Sequence, residues 1–261
     1  MSRIGIILSV HEAADQLNRF IKPWLEYQEK YKNHEIIFSI VHACFKENHE
    51  AGAQIYSQDG TMDILGSWWK KHKIEFYNIL DVPASEHDAR NVALVPLISA
   101  GCDYILSTAP DEFFEVEQID RLFNYIVKDP FIAVYRINYK NLVFTSNQWI
   151  DGFCPNRIWK VISGQNHLIK FNYDDNTIYE VKERGPIQDG FLSCKIVPKE
   201  ICWPIHETWL DNERSHKKVL YQRARWGKDG CSFDWKNDHL VFSLDYYKRI
   251  DRHPPIINRE K

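Results

Sequence analysis

Two acidic residues, Asp111 and Glu112, close the stretch Tyr104-Ile-Leu-Ser-Thr-Ala-Pro-Asp-Glu112. Adjacent carboxylates just beyond a short apolar run suit a hard divalent cation, because Mg²⁺ and Mn²⁺ prefer carboxylate oxygen. Open α/β sheets bind ligands beyond the carboxyl ends of their strands, which is where these two residues would fall. An ordinary acidic turn, with Asp111 capping the next helix, uses the same residues. A second group, Ser9, Val10, His11 and Glu12, ends the first apolar run and would line the same edge. Arg90 stands near a helix start, where a guanidinium and the helix's positive end can both meet phosphate. A solvated arginine, or a partner for Asp103, is the plainer reading. Asn91 would brace the loop that carries Asp111.

The elements that must hold these residues can be read from the pattern. Ile4 to Val10 is a continuous apolar run, as expected of a strand buried on both faces. Leu17, Phe20, Ile21, Trp24 and Leu25 then recur at helical spacing, with a kink expected at Pro23. Strands are expected at Glu35–Ala43, Ile74–Leu80 and Tyr104–Ser107, and helices at Ile64–His72 and Asp88–Ala100, the last stopped by Gly101. Asp59-Gly-Thr-Met-Asp63 reads as a turn. The alternation implies a mostly parallel, Rossmann-like sheet with right-handed crossovers. After an amphipathic helix carrying Ile119, Leu122, Phe123 and Ile126, the character becomes mixed. Strands are expected at 131–137, 142–145 and 157–162, a hairpin turn at Asp174-Asp175-Asn176, and a basic helix over 211–226. Residues 252–261 read as a loose tail. The chain reads as one domain: an α/β nucleotide-binding half over 1–115 and a mixed α+β half over 116–261 covering the acceptor side.

Bulk composition narrows the classes. A chain of 261 residues can bury one large core. A net charge of −3 argues against a nucleic-acid coat protein. Six cysteines, none in a Cys-x-x-Cys pair, exclude zinc-ribbon and thioredoxin-like motifs and suit reduced thiols in a cytoplasmic protein. No segment reads as a signal peptide or a membrane span.

Taken in order, the pieces resemble family 2 glycosyltransferases of the GT-A fold, notably the branch that assembles lipopolysaccharide core and related cell-surface glycans. The resemblance rests on Ala89-Arg90-Asn91, the strand ending in Ala109-Pro110-Asp111-Glu112, the later Asn156-Arg157-Ile158-Trp159, and Ile205-His206-Glu207. It covers roughly the first 210 residues, and its specificity lies in the order of pieces that are each weak alone. It implies sugar transfer from a nucleotide sugar, UDP- or GDP-linked, to a glycan or other hydroxyl acceptor, metal-assisted by Mn²⁺ or Mg²⁺ and inverting. Asp111, Glu112 and His206 are the implied metal ligands. Ser9, Val10, His11, Glu12, Arg90, Asn91, Ala109, Pro110 and Arg157 are the implied nucleotide-sugar contacts. Asp189, in Pro186-Ile-Gln-Asp-Gly190, and Glu207 are rival candidates for the base that takes the acceptor proton. His206 as a buried core histidine and Asp189 as a turn residue are the bland alternatives. Trp203, Trp209 and Trp226 are candidates for stacking on a sugar, the core being their other use.

The chain departs from the resembled pattern at Ala109, which stands where a first metal-site Asp is expected. The acidic residue expected after the second strand is also missing from Ser39-Ile-Val-His-Ala-Cys44, while Asp59-Gly-Thr-x-Asp63 looks like a displaced copy of its motif. Those departures keep alive a non-catalytic sugar- or nucleotide-binding module. The basic segment near 214–225 keeps a glycosyltransferase acting on nucleic-acid bases in view. A sugar-1-phosphate nucleotidyltransferase would want a glycine-rich phosphate loop after the first strand, and Val10-His-Glu-Ala-Ala lacks it.

Overall fold

A computed structural model describes residues 1–161, 167–171, 177–181, 185–188, 193–210, 215–216, 218–220, 222–223, 233–236, 239–243 and 257–259. In chain order the elements begin β1 (Arg3–Val10), α1 (Ala14–Lys30), β2 (Glu35–His42), α2 (Lys46–Glu50), α3 (Thr61–Lys70) and β3 (Phe76–Ile79). There follow α4 (Glu86–Ser99), β4 (Tyr104–Thr108), β5 (Glu112–Phe113), α5 (Val116–Ile126), β6 (Val134–Ile137), β7 (Lys140–Val143), β8 (Thr145–Ile150) and β9 (Asn156–Lys160). The remainder are strands: β10 (His167–Phe171), β11 (Thr177–Val181), β12 (Gly185–Gln188), β13 (Cys194–Val197), β14 (Ile205–Trp209), β15 (Phe233–Lys236), β16 (His239–Phe242) and β17 (Asn258–Arg259).

The expected α/β architecture is present. A seven-stranded sheet runs in the order β13-β6-β9-β4-β1-β2-β3. Strands β4, β1, β2 and β3 are parallel, and β9 enters antiparallel between β4 and β6. Side chains alternate along β1, so Ile4, Ile6, Leu8 and Val10 join α1 and α5 on one face while Ile7 joins α4 on the other. Helices on both faces explain why β1, β2 and β4 read as unbroken apolar runs. Burying a large side chain such as Trp24 or Phe38, both fully inaccessible, contributes roughly 1.5–3 kcal/mol each.

Helix ends follow from local chemistry. Ser85 caps α4 by accepting from the Asp88 N–H at 3.2 Å. Gly101 takes φ 73° beyond its other end, so that Cys102 N–H reaches Leu97 C=O and Gly101 N–H reaches Ile98 C=O. α1 runs on through Pro23 to Lys30, one unbroken element. α3 begins at Thr61, earlier than its apolar stripe implied, because Asp59 Oδ1 accepts from both Thr61 N–H and Thr61 Oγ1–H at 3.0 and 2.7 Å.

A second, five-stranded sheet in the order β17-β8-β7-β14-β5 packs where β4 ends. β14 lies between β7, parallel, and β5, antiparallel, and so brings Ile205–Trp209 beside Glu112–Phe113. The tail expected over 252–261 supplies β17, which pairs with Gln148 and Trp149. The hairpin turn expected at Asp174-Asp175-Asn176 lies outside the described residues, between the antiparallel strands β10 and β11. Cys44, Cys102, Cys154 and Cys202 are free thiols. Among the described residues, no helix is long and apolar enough to cross a membrane.

Candidate functional site

Asp111 and His206 meet beyond the carboxyl end of β4. The chain turns after Thr108, with Glu112 N–H donating to Ala109 C=O at 3.1 Å, and Ala109 and Pro110 form the bend. Register then does the rest: His206 on β14 faces Glu112 on β5 and Asn141 on β7. Asp111 Oδ2 lies 3.5 Å from His206 Nε2, and Asp111 C=O accepts from Glu207 N–H at 3.0 Å. On its other side His206 Nδ1 lies 2.8 Å from Asn141 Oδ1. The imidazole stacks on Phe153 at 4.9 Å and meets the Tyr139 ring edge-on at 6.0 Å.

Glu112 engages a different set of partners from Asp111. Its carboxylate is fully buried and accepts from Arg157 Nη2, from Tyr139 Oη at 2.8 Å and from Thr108 Oγ1 at 3.0 Å. The Leu106–Ile158 pairing of β4 with β9 carries Arg157 to that level. Burial, and then the Glu112 carboxylate, push the Tyr139 phenol well above its usual value. Burial opposes the Arg157 charge, but Glu112 and Tyr139 outweigh it and hold the guanidinium ionised.

Glu207 engages Arg19 of α1 through both oxygens at 2.7 Å, and the Arg19 guanidinium lies 3.8 Å from the Phe113 ring centre. Asp189 lies outside the described residues. Arg90 is paired with Glu86 one helical turn away and sits 5.8 Å above Phe171. Asn91 clamps Phe171, accepting from its N–H at 2.8 Å and donating to its C=O at 3.0 Å, and so ties α4 to β10. Trp203 meets Trp149 edge-on at 6.3 Å, and Trp209 packs against Phe233 at 4.3 Å. Within the basic segment the described residues 215–216, 218–220 and 222–223 are helical, while Arg214, Lys217, Arg225 and Trp226 lie outside the described residues.

At the ends of β1 and β2 the chain folds a loop back over the edge. Ser57 Oγ bonds His42 Nε2 at 2.8 Å and accepts from Glu12 N–H at 2.9 Å, and His11 Nε2 bonds Gln54 C=O at 2.8 Å. Glu12 takes φ 46° to turn out of the strand, a conformation uncommon for a residue with a side chain. Ser9 Oγ is buried with no hydrogen-bond partner among the described residues, beside Val10, which is itself buried. Asp59 Oδ2 accepts from Ala14 N–H at 3.0 Å. Burial opposes ionisation of Asp59, yet this bond and the two from Thr61 outweigh it and hold the carboxyl below its usual value.

His42, the last residue of β2, stands in the stretch that lacks the acid implied by the resemblance. Burial, and then the nearby His11, lower its imidazole from 6.5 to about 4. Between those two values the unfolded chain binds a proton that the folded chain refuses, so stability falls as pH drops through that window and is fully present above it. Lowering the pH from about 7 to about 5 should therefore cost the wild type ~2 kcal/mol through this group. Urea midpoints at the two pH values should differ less for His42→Phe; an equal loss in both proteins would contradict the assignment.

Arg19, Asn141, Tyr139, Thr108, Phe153 and His42 are thus site residues that carried no motif. Among the described residues no three His, Cys, Asp or Glu side chains gather as a ligand set. Asp111 and His206 form a pair, one oxygen and one nitrogen donor facing the same space, and that chemistry fits part of the shell of Mn²⁺.

No protein-family model matches the chain, and no curated protein does. Solved structures do resemble it. The crystal structure of S. aureus TarS residues 1–349 in complex with UDP matches with a TM-score of 0.50 at 15% identity, over 86% of this chain and 65% of that one. The same fragment without UDP gives 0.49 at 14% identity, over 86% and 70%. A mannosyltransferase, PcManGT of Pyrobaculum calidifontis, in complex with GDP-Man and Mn²⁺, gives 0.47 at 10% identity, over 84% and 62%. The chain thus spans about two thirds of the length of these neighbours. The likeness fixes the architecture: α/β, with a mostly parallel central sheet of GT-A type and a mixed C-terminal half.

Proposed function

We propose that the chain is a glycosyltransferase that moves a sugar from a UDP- or GDP-linked donor to a glycan or other hydroxyl acceptor, with inversion, in the cytoplasm. The observation that carries this reading is the Asp111–His206 pair just beyond the carboxyl edge of the parallel strands. Ligands of open α/β sheets bind there. The UDP complex of the TarS fragment, which shares the fold, fits the same donor chemistry. Asp111 and His206 are the residues that would hold Mn²⁺ or Mg²⁺, donor oxygens and water completing the shell. A cation so placed offsets charge on the departing diphosphate and removes the need for a protonated group.

The chain's own residues divide the remaining work. Residues 1–115 hold the donor through Ser9–Glu12 and the Ala109–Pro110 bend, and residues 116–261 face the acceptor. Glu112 and Arg157 set the floor beneath Asp111. The proton of the acceptor hydroxyl goes to Asp189 or Glu207, and comparing transfer by Asp189→Asn and Glu207→Gln decides between them. For Glu207 the role requires release of the Arg19 clamp.

A sugar-nucleotide-binding module without turnover is the second reading, favoured by Ala109 where the resembled motif has an acid. Thermal unfolding with UDP or GDP, with and without Mn²⁺, separates binding from no binding. At a nucleotide concentration about 100 times Kd the stabilisation should be ~2.7 kcal/mol. Slow hydrolysis across a panel of nucleotide sugars then identifies the donor. Binding without any hydrolysis selects the module, and no response to any nucleotide defeats both readings.

A further inference from the structure

We infer that Asn141 is a positioning residue for the cation site: it fixes the tautomer of His206 so that the Nε2 lone pair is presented beside Asp111. The inference rests on the cation-dependent reading above and adds a residue to it. An amide oxygen only accepts hydrogen bonds, so the 2.8 Å contact between Asn141 Oδ1 and His206 Nδ1 places the ring hydrogen on Nδ1. Both residues are at least nine-tenths buried, which makes this bond costly to leave unmade. With Nδ1 carrying hydrogen, Nε2 is the basic nitrogen of the neutral ring, and it lies 3.5 Å from the Asp111 carboxylate. An imidazole nitrogen and a carboxylate oxygen at that separation can both serve as ligands of one divalent cation. The ring has no freedom to turn away: Phe153 covers one face with an interplanar angle of 18°, and Tyr139 abuts it edge-on. Stacking sets the plane and Asn141 sets the rotation within it. The fold delivers Asn141 by register, since β7 runs parallel to β14 with Asn141 opposite His206.

The tautomer can be read directly. Protein labelled with ¹⁵N in its eleven histidines, at mildly alkaline pH and without metal, should show His206 with hydrogen on Nδ1. The assignment comes from the resonance lost in His206→Gln. Mn²⁺ affinity in the presence of UDP or GDP, read from the free-ion paramagnetic resonance signal, should weaken ~10–100-fold in Asn141→Leu. Asn141→Asp keeps an acceptor at the same place and should restore both the Nδ1–H form and affinity near wild type. Hydrogen on Nε2 in the wild type, or equal Mn²⁺ binding by wild type and Asn141→Leu, overturns the inference while leaving the glycosyltransferase reading standing. A wild type that takes up no Mn²⁺ with either nucleotide defeats both.

Discussion

Arg157→Met should destabilise the protein by ~3–5 kcal/mol, because it leaves the Glu112 carboxylate charged and buried with only Tyr139 and Thr108 as donors. Glu112→Gln should cost a similar amount by stranding the guanidinium, of which about a tenth is exposed. For a chain of this length each kcal/mol lowers the melting temperature by roughly 2–4 °C, so either variant should melt roughly 6–20 °C below wild type. Replacing both residues with methionine removes both charges at once and should recover part of the loss. That recovery is the informative result, since two unrelated defects would add instead. A shift below about 1 kcal/mol for Arg157→Met would show that the carboxylate finds water or another donor, and the network would lose its structural meaning.

The same network shows what a sequence can and cannot disclose. Asp111 and Glu112 read as two ligands because they are adjacent acids. In the fold, however, their partners differ, Asp111 meeting His206 and Glu112 meeting Arg157. Two residues are too few for periodicity to reveal β5, and it exists only through pairing with β14 more than ninety positions later. β1, β2 and β4 were legible for the opposite reason, since burial on both faces leaves an unmistakable apolar run. α1 and α5 were legible from their stripes. The region expected as one strand over 142–145 is instead two, β7 and β8, which reverse around Phe144 at φ 63°. Thr145, Ser146 and Asn147 are exposed, so no apolar alternation announces β8.

Arg19 illustrates a different blindness. It lies on the exposed side of α1, where a charged residue is the default, and only the fold brings it to Glu207 across 188 positions. Asn141 had no signal either, since a buried amide acquires meaning from its partner alone. By contrast Asp59, in the turn Asp59-Gly-Thr-x-Asp63, stands out in the sequence, and in the fold it anchors the β1–α1 junction through Ala14 and Thr61.

Asp111→Asn is expected to reduce metal-dependent donor turnover ~10²–10³-fold, the usual loss when one preorganised electrostatic contact to developing charge is removed. The amide keeps the shape of the side chain and one oxygen while losing the charge, so the fold should survive. Asp111 is also outside the buried Glu112 network whose disruption melts the protein. Circular dichroism and melting temperature without ligand should therefore match wild type, which separates this variant from Arg157→Met. The stabilisation by UDP or GDP that requires Mn²⁺ should disappear together with turnover, because binding and catalysis draw on the same ligand. His206→Gln should show the same pair of losses, and combining the two should add little, as expected of side chains serving one cation. Glu207→Gln should behave differently: if that carboxylate takes the acceptor proton, transfer falls while Mn²⁺-dependent nucleotide stabilisation persists. Full turnover by Asp111→Asn would mean that the 3.5 Å contact between Asp111 and His206 is a structural ion pair, and additive losses in the double variant would mean that the two side chains act independently.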